Sequence, residues 1–170
     1  EQIQLKGISC HIGSQINDIK IFEKIFNKMK KAAEIIINNN LLITHLDLGG
    51  GLGVVYNDEK ELNLNELSSL ISSVFKDTSY DISFEPGRYL VANAGVLITK
   101  ILTTKKNESV NFLITDAGMQ TLLRPAIYNS FHNIITLKNN NDNMIEYTIA
   151  GPICESSDIL AKKTILTQQQ

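Results

Sequence analysis

Three short stretches of the chain combine glycines with side chains that can bind anions or move protons. Residues 46–53 read Leu-Asp-Leu-Gly-Gly-Gly-Leu-Gly, residues 7–15 contain His11 and Ser14, and residues 82–88 end in Glu-Pro-Gly-Arg. Each stretch passes from apolar residues typical of a buried strand into glycine. Because parallel strands end at the same edge of a sheet, we expect the three strand ends to surround one crevice.

The glycine run at Gly49, Gly50 and Gly51 offers backbone N–H groups that an anion can approach closely, because no Cβ intervenes. Ser14 adds a hydroxyl that can bind the same anion. The run therefore predicts a phosphate cradle. A plain tight turn, with Ser14 as an ordinary turn residue, is the alternative that these residues leave open.

Glu85 and His11 are suited to a flat, protonated heterocycle. A carboxylate at the end of a buried strand can hydrogen-bond a ring N–H and hold its positive charge, and Pro86 and Gly87 give the sharp exit that exposes it. His11 can stack on such a ring or act as a general acid or base. The alternatives are an ion pair between Glu85 and Arg88, and a histidine that simply belongs to the core.

The second half of the chain carries a guanidinium, a phenol and a thiol. Arg124 and Tyr128 lie in the run Arg-Pro-Ala-Ile-Tyr, which we expect to form a turn, and together they can hold a carboxylate. An exposed arginine beside a packed tyrosine fits the sequence equally well. Cys154 stands next to Glu155 and near Asp158, and these acids favour a protonated thiol that can donate its proton. A small buried cysteine is the alternative.

Strand and helix patterns alternate in the first half of the chain. The predicted strands are 3–9, 43–48 and 80–84. An apolar stripe at helical spacing follows a cap at Asn17 or Asp18, and a second helix is predicted over 64–75. This order predicts parallel βαβ units, and the chemistry at the strand ends favours a barrel over an open sheet.

The second half of the chain is rich in β patterns. The predicted strands are 95–104, 110–115, 134–138 and 144–150. No long helical pattern separates them, so we expect antiparallel pairing. The fold class is thus α/β plus β, with 1–92 as the last three βα units of a partial (β/α)8 barrel and 93–170 as part of an antiparallel β-barrel domain. Three strands cannot close an eight-stranded barrel, so we expect an internal piece of a longer enzyme.

Composition excludes several classes of protein. The formal net charge is −2 and the sequence pI is about 5.9, with basic residues scattered among acids, so we expect no nucleic-acid partner. No apolar run approaches the roughly 20 residues that a membrane helix needs, and we expect a cytoplasmic protein. The two cysteines are predicted to be free thiols, and no ligand spacing indicates a metal site.

Several motifs closely resemble those of diaminopimelate decarboxylases, which are fold-type III pyridoxal-phosphate enzymes of the alanine racemase-like barrel group. In chain order they read CHIGSQ, DLGGGLG, FEPGR, DAGM, RPAIY and GPICES-D, and they cover essentially the whole chain. The resemblance implies pyridoxal 5'-phosphate as cofactor. It also implies that meso-diaminopimelate is decarboxylated to L-lysine and CO₂ in the last step of lysine biosynthesis.

The resemblance implies a role for each candidate residue. His11 would stack on the cofactor ring and Glu85 would pair with the ring nitrogen. The residues implied to contact the cofactor are His11, Ser14, Gly49, Gly50, Gly51, Glu85, Pro86, Gly87 and Arg88. Arg88 is also implied to lie near substrate, with Arg124 and Tyr128 holding a substrate carboxylate, Glu155 its distal amino group, and Cys154 donating a proton.

In this family the Cys-Glu segment completes the active site of the partner subunit, so the resemblance implies a homodimer with shared sites. The lysine that binds the cofactor comes from an early barrel strand, and we expect it outside this chain, which would then be inactive by itself. Two alternatives stay open. One is a related decarboxylase acting on ornithine, arginine or carboxynorspermidine, and the other is a non-catalytic regulatory homologue.

Overall fold

The computed structural model describes residues 3–137 and 143–169. The chain divides into two compact units, Glu1–Gly95 and Val96–Gln170, which are called the N-terminal and the C-terminal unit below. Among the helices of the described residues, none is long and apolar enough to cross a membrane.

The N-terminal unit alternates strands and helices. Its elements are β1 (Gly7–Ser9), α1 (Ile19–Asn38), β2 (His45–Asp47), α2 (Leu64–Phe75), β3 (Asp81–Ser83), α3 (Gly87–Val91) and a 3-10 helix (Ala92–Ala94). The strands form one sheet in the order β1-β2-β3, and both pairings are parallel. The α/β fold class is thereby confirmed, although each strand is shorter than the sequence pattern indicated.

Both long helices begin at a side-chain cap. Asp18 Oδ1 accepts a hydrogen bond from Lys20 N at 2.9 Å, and Asn63 Oδ1 accepts from the Asn65 and Glu66 amides at 3.0 and 3.2 Å. Such caps satisfy N–H groups that have no partner within the helix. The predicted starts of both helices are confirmed.

The core of the N-terminal unit lies between the helices and one face of the sheet. Phe26 is fully buried, and its ring lies 6.0 Å from Phe22 and 6.1 Å from both Phe75 and Phe84. Leu46 in β2 packs in the same cluster. Successive side chains of an extended segment point to opposite faces of the sheet. Every second residue after each strand therefore points away from the core.

In the described residues, the C-terminal unit consists of a four-stranded sheet and one short helix. Its elements are β4 (Ile101–Lys106), β5 (Asn111–Thr115), α4 (Arg124–Tyr128), β6 (Met144–Ala150) and β7 (Ile159–Thr167), and the strand order is β4-β5-β6-β7. The expectation of purely antiparallel pairing is wrong, because β5 and β6 pair in parallel. The segment between β5 and β6 is long enough to bring the chain back to the end of the sheet at which β5 begins, as a parallel pairing requires.

Three local predictions in this unit need correction. The strand expected over 95–104 begins only at Ile101, and residues 134–137 of the strand expected over 134–138 have no strand structure, while residue 138 lies outside the described residues. The Arg124–Tyr128 segment, expected to be a turn, forms α4. Strand β7 was not predicted, although it pairs along most of β6.

Candidate active site

The three strand ends of the N-terminal unit lie side by side and continue the sheet beyond its strands. Cys10 N donates to Asp47 O at 3.1 Å, Leu48 N donates to Ser83 O at 2.9 Å, and Glu85 N donates to Gly49 O at 2.8 Å. The predicted convergence of these segments therefore occurs in the structure. Residues His11, Ser14, Gly49–Gly51 and Glu85–Arg88 all follow directly from neighbouring strands.

Close packing explains why the central strand end consists of glycine. A Cβ added at Gly49 would collide with the carbonyl oxygen of Cys10, and one added at Gly50 would collide with that of Glu85. Gly49 also has a φ of 73°, which disfavours any residue with a side chain. The flanking strand ends thus approach the glycine run at contact distance.

Two amides of the glycine run are available for an anion. Gly49 N donates to Asp47 Oδ1 at 2.8 Å, so this donor is already used. Within the part of the chain that the structure describes, the amides of Gly50 and Gly51 donate to no acceptor. Because backbone N–H groups near a protein interior are nearly always paired, these two donors point to a ligand.

The side chains predicted to face a heterocycle are open to solvent. His11, Ser14 and Glu85 are exposed, whereas Ile12 and Phe84, their neighbours in sequence, pack against the core. The alternative of a core histidine at position 11 is therefore wrong. The alternation of strand residues sends the apolar neighbours towards the helices and leaves His11 and Glu85 free for a ligand.

Arg88 lies in the first turn of α3 and contacts the strand end after β1. Its Nη1 donates to Gln15 Oε1 at 3.4 Å, and in the described residues no ion pair joins it to Glu85. The alternative of a Glu85–Arg88 ion pair is therefore not observed. Both charges remain available for a ligand.

Helix α4 of the C-terminal unit places Arg124 and Tyr128 on one face. The Arg124 guanidinium lies 5.6 Å from the centre of the Tyr128 ring, and its Nη2 donates to Ser130 Oγ at 3.0 Å. Arg124 is half-buried, whereas Tyr128 is 68% exposed, the reverse of the exposed arginine and packed tyrosine considered above. Among the residues that the structure describes, the Nε of Arg124 has no hydrogen-bond partner, so the guanidinium held by Ser130 retains a free donor.

A buried carboxylate shapes the loop between β6 and β7. Asp158 is 2% exposed, and its two oxygens accept from Met119 N at 2.6 Å and from Ile153 N at 2.8 Å. A Cβ at either Gly118 or Gly151 would collide with this carboxylate. Asp158 therefore fixes the loop that carries Cys154.

Cys154 and Glu155 are both exposed in this loop, which excludes the alternative of a small buried cysteine. The Ser157 amide, the Ser157 hydroxyl and the Ser156 hydroxyl each donate to Glu155 Oε1 at 3.1 Å. These donors lower the pKa of Glu155 below its ordinary value, since they stabilise the charged form. In the described part of the chain nothing donates to its Oε2 atom, so Glu155 presents a carboxylate oxygen that can receive a cation.

Sequence reasoning missed the contacts by which three residues hold the site. Asp47 binds the glycine run, Gln15 contacts Arg88, and Asp158 fixes the loop that carries Cys154. The partner of Asp47 lies two residues away, so an aspartate just before a glycine run was a usable signal. The partners of Gln15 and Asp158 are distant in sequence, and no local pattern could have indicated them.

Both cysteines are free thiols, as predicted. Partial burial raises the pKa of Cys10, and the nearby carboxylate of Asp47 makes a smaller contribution in the same direction. In the described residues no group of three or more histidine, cysteine, aspartate and glutamate side chains is arranged to hold a metal ion.

The sequence also matches a known protein family. Residues 18–170 match the family described as "Pyridoxal-dependent decarboxylase, C-terminal sheet domain". The chain therefore belongs to this family of pyridoxal-dependent decarboxylases.

Individual relatives give a finer comparison. The diaminopimelate decarboxylase of Aquifex aeolicus is 40% identical over 162 residues, which are 95% of this chain and 39% of the relative. A crystal structure from the same organism superposes with a TM-score of 0.91 at 38% identity, covering 98% of this chain and 42% of that one.

The diaminopimelate decarboxylase of Helicobacter pylori, solved in complex with L-lysine, has a TM-score of 0.89 and 34% identity over 98% of this chain and 41% of its own. The chain thus spans about 40% of the length of the relatives that it matches.

Proposed function

We propose that this chain is part of a pyridoxal-phosphate-dependent carboxy-lyase that converts meso-2,6-diaminopimelate to L-lysine and CO₂. The observation that carries the proposal is the convergence of the His11, Gly49–Gly51 and Glu85 segments at one sheet edge, where two amides of the glycine run have no acceptor among the described residues. The names of the relatives support diaminopimelate rather than ornithine, arginine or carboxynorspermidine. The retained Cys154 and Glu85 argue against a non-catalytic homologue.

The residues at the sheet edge fit pyridoxal phosphate. The Gly50 and Gly51 amides and the Ser14 hydroxyl would bind the phosphate, and Gly87 with Pro86 would continue that cradle. His11 would stack on the ring and Glu85 would accept a hydrogen bond from the ring nitrogen. The bound cofactor supplies a conjugated ring that takes up the electron pair left behind when CO₂ departs.

The other side chains of the chain would bind the substrate and move a proton. Arg88 and Arg124 would bind carboxylates of the substrate, with the Tyr128 hydroxyl as a further donor. Glu155, whose carboxylate stays charged, would bind the distal ammonium group. The Cys154 thiol would donate its proton to the Cα carbon that has lost its carboxylate.

The activity is tested with a full-length enzyme that carries this sequence, by measuring CO₂ release from meso-diaminopimelate in the presence of pyridoxal phosphate. The same assay with ornithine, arginine and carboxynorspermidine tests the substrate. We expect diaminopimelate to be turned over fastest. Faster turnover of ornithine would replace the proposed substrate, and no CO₂ from any of them would favour the regulatory homologue.

The two free thiols give a matched pair of variants for the proton donor. We expect Cys154→Ser to lose at least about a hundredfold in kcat, as is usual when a general acid is removed. Cys10→Ser changes the thiol that packs against the core and should keep kcat within a few-fold. Equal activity of the two variants would remove Cys154 from the mechanism.

We further propose a homodimer whose partner contributes Cys154 and Glu155 to each site. Their exposure at the surface of the C-terminal unit supports this. Mixing inactive His11→Ala and Cys154→Ser subunits should restore about a quarter of the wild-type activity, since heterodimers then contain one intact site. If the mixture stays inactive after subunit exchange, each site is built from one chain.

Two free thiols also support a cytoplasmic location.

A further inference from the structure

Gln15 is the residue of the sheet edge whose geometry the proposed function leaves unexplained. Its φ is 64°, a left-handed conformation that is uncommon for a residue with a side chain. Such a conformation persists only where the surrounding contacts hold it, and it is most frequent at functional sites. The contacts of Gln15 therefore call for an explanation.

The amide side chain of Gln15 pairs with the main-chain N–H and C=O of one residue, Val54, in the next strand end. Gln15 Nε2 donates to the carbonyl oxygen of Val54, and Val54 N donates to Gln15 Oε1 at 3.3 Å. The main chain is tied in the same place, because Ile16 N donates to Gly51 O at 2.9 Å and Gly53 N donates to Ile16 O at 3.1 Å. The Oε1 atom of Gln15 thus has a fixed position.

The same oxygen accepts from the third strand end. Arg88 Nη1 donates to Gln15 Oε1 at 3.4 Å, so a single atom joins the segments that follow β1, β2 and β3. The acceptor is neutral, and the described residues include no carboxylate paired with Arg88. Because an amide oxygen orients a guanidinium without cancelling its charge, the remaining N–H donors of Arg88 keep their full attraction for an anion.

We propose that Gln15 is a positioning residue that holds the Arg88 guanidinium, with its charge uncompensated, for a carboxylate of the substrate. This inference rests on the proposed function and adds a determinant of substrate binding to it. It explains why an amide at position 15 is paired on both sides, since rotation of the side chain would move the acceptor away from Arg88.

Gln15→Glu tests the proposal because it replaces the neutral acceptor with a carboxylate that pairs with Arg88. In the full-length holoenzyme we expect KM for diaminopimelate to rise about tenfold while kcat changes less than about threefold. The dissociation constant of pimelate, the unreactive dicarboxylate of the same chain length, should rise in parallel when measured by calorimetry. Asn93→Asp adds the same charge in the neighbouring 3-10 helix and should leave both values unchanged.

A double-mutant cycle with Arg88→Met shows whether Gln15 acts through Arg88. The Gln15→Glu/Arg88→Met double variant should bind substrate no more weakly than Arg88→Met alone, within about twofold. Gln15→Met keeps the shape of the side chain, removes the acceptor, and should raise KM about threefold. This uncharged variant keeps the test available if the glutamate variant does not fold.

Four results would overturn the proposal. Additive effects in the cycle, or equal losses in kcat and kcat/KM together with a lower melting temperature, would make Gln15 a purely structural clamp, and so would failure of both variants to fold. An Arg88→Met variant with an unchanged KM would remove Arg88 itself from substrate binding. CO₂ release by the wild-type enzyme is measured separately, so failure of the proposed activity is distinguished from failure of this inference.

Discussion

The two units hold their candidate site residues in different ways. At the sheet edge of the N-terminal unit, main-chain hydrogen bonds and the absence of side chains at Gly49 and Gly50 bring the strand ends together. In the C-terminal unit, the loop that carries Cys154 and Glu155 is fixed by the carboxylate of Asp158.

This difference teaches where each unit is vulnerable. The glycine run has no space for a Cβ at Gly49 or Gly50, whereas the loop before β7 depends on the carboxylate of Asp158. At the sheet edge, main-chain hydrogen bonds are distributed over three segments, so the loss of any one side chain removes little of the stabilisation. In the loop, one buried carboxylate accepts from two amides, so a single substitution removes both hydrogen bonds.

The largest effect is expected for Asp158→Ala. It leaves the Met119 and Ile153 amides without an acceptor, which costs about 3 kcal/mol of stability, and it releases the loop that presents Cys154. Calorimetry of the full-length enzyme should show a lower melting temperature, and the kcat for diaminopimelate should fall as well. Asp158→Asn keeps one acceptor oxygen and should lie between this variant and wild type. A wild-type melting temperature for Asp158→Ala would remove the contrast between the units.

The next largest effect is expected for Gly50→Ala. Its Cβ would collide with the Glu85 carbonyl oxygen, and relief of such a collision costs about 1–3 kcal/mol. The strand end that carries Glu85 must then move away, so the affinity of the apoenzyme for pyridoxal phosphate, measured by absorbance titration, should fall. A Cβ added at Gly95 would meet no atom of the described residues within 4 Å other than those of its chain neighbours, so Gly95→Ala serves as the control. Equal cofactor affinity for both variants would show that the close approach is not needed.

A smaller effect is expected for Ser130→Ala, which removes the hydrogen bond to Arg124 Nη2. One such bond to a charged group is worth about 1 kcal/mol where it is partly exposed, so we expect KM for diaminopimelate to rise about fivefold without a change in kcat. Steady-state kinetics of the full-length enzyme measure this rise. Ser109→Ala, in the turn between β4 and β5, is the control, and an equal KM for the two variants would show that Arg124 needs no support.

The smallest effect concerns the ionisation of Glu155. The Ser156 and Ser157 donors lower its pKa in the folded protein, so their hydrogen bonds stabilise the loop at pH values above the ordinary pKa of 4.5 and are lost as the pH falls through the lowered value. Removing one donor with Ser157→Ala should move the pKa of Glu155 back upwards. An NMR titration of the carboxyl carbon measures it, and an unchanged value would mean that the Ser157 amide and Ser156 are sufficient.

The parts of the fold that depend on local signals were predictable. Helices α1 and α2 begin at Asp18 and Asn63 because capping side chains and apolar periodicity act over a few residues. Strand β7 was missed because the pattern of residues 159–167 includes polar side chains at its exposed edge. The parallel pairing of β5 with β6 depends on contacts between distant segments, which a sequence pattern does not contain.

The candidate site shows the same division. The motifs around His11, Gly49–Gly51 and Glu85 could be found because the residues of each motif are neighbours in the sequence. The roles of these residues stay predictions until the variants are measured. The supports of the site could not be found in this way. Gln15 bonds to Val54 and Arg88, and Asp158 bonds to Met119, so their importance arises only when the chain has folded.

The parallel pairing in the C-terminal sheet has a consequence for the order in which that unit assembles. Hairpins β4–β5 and β6–β7 each join neighbours through short connections, so their ends meet at little entropic cost. The β5–β6 register requires closure of the much longer segment that contains α4, and such non-local pairings form slowly. We therefore expect the hairpins β4–β5 and β6–β7 to form first and to pair with each other last, so the segment that contains α4 and Arg124 is the latest part of this unit to be positioned during folding.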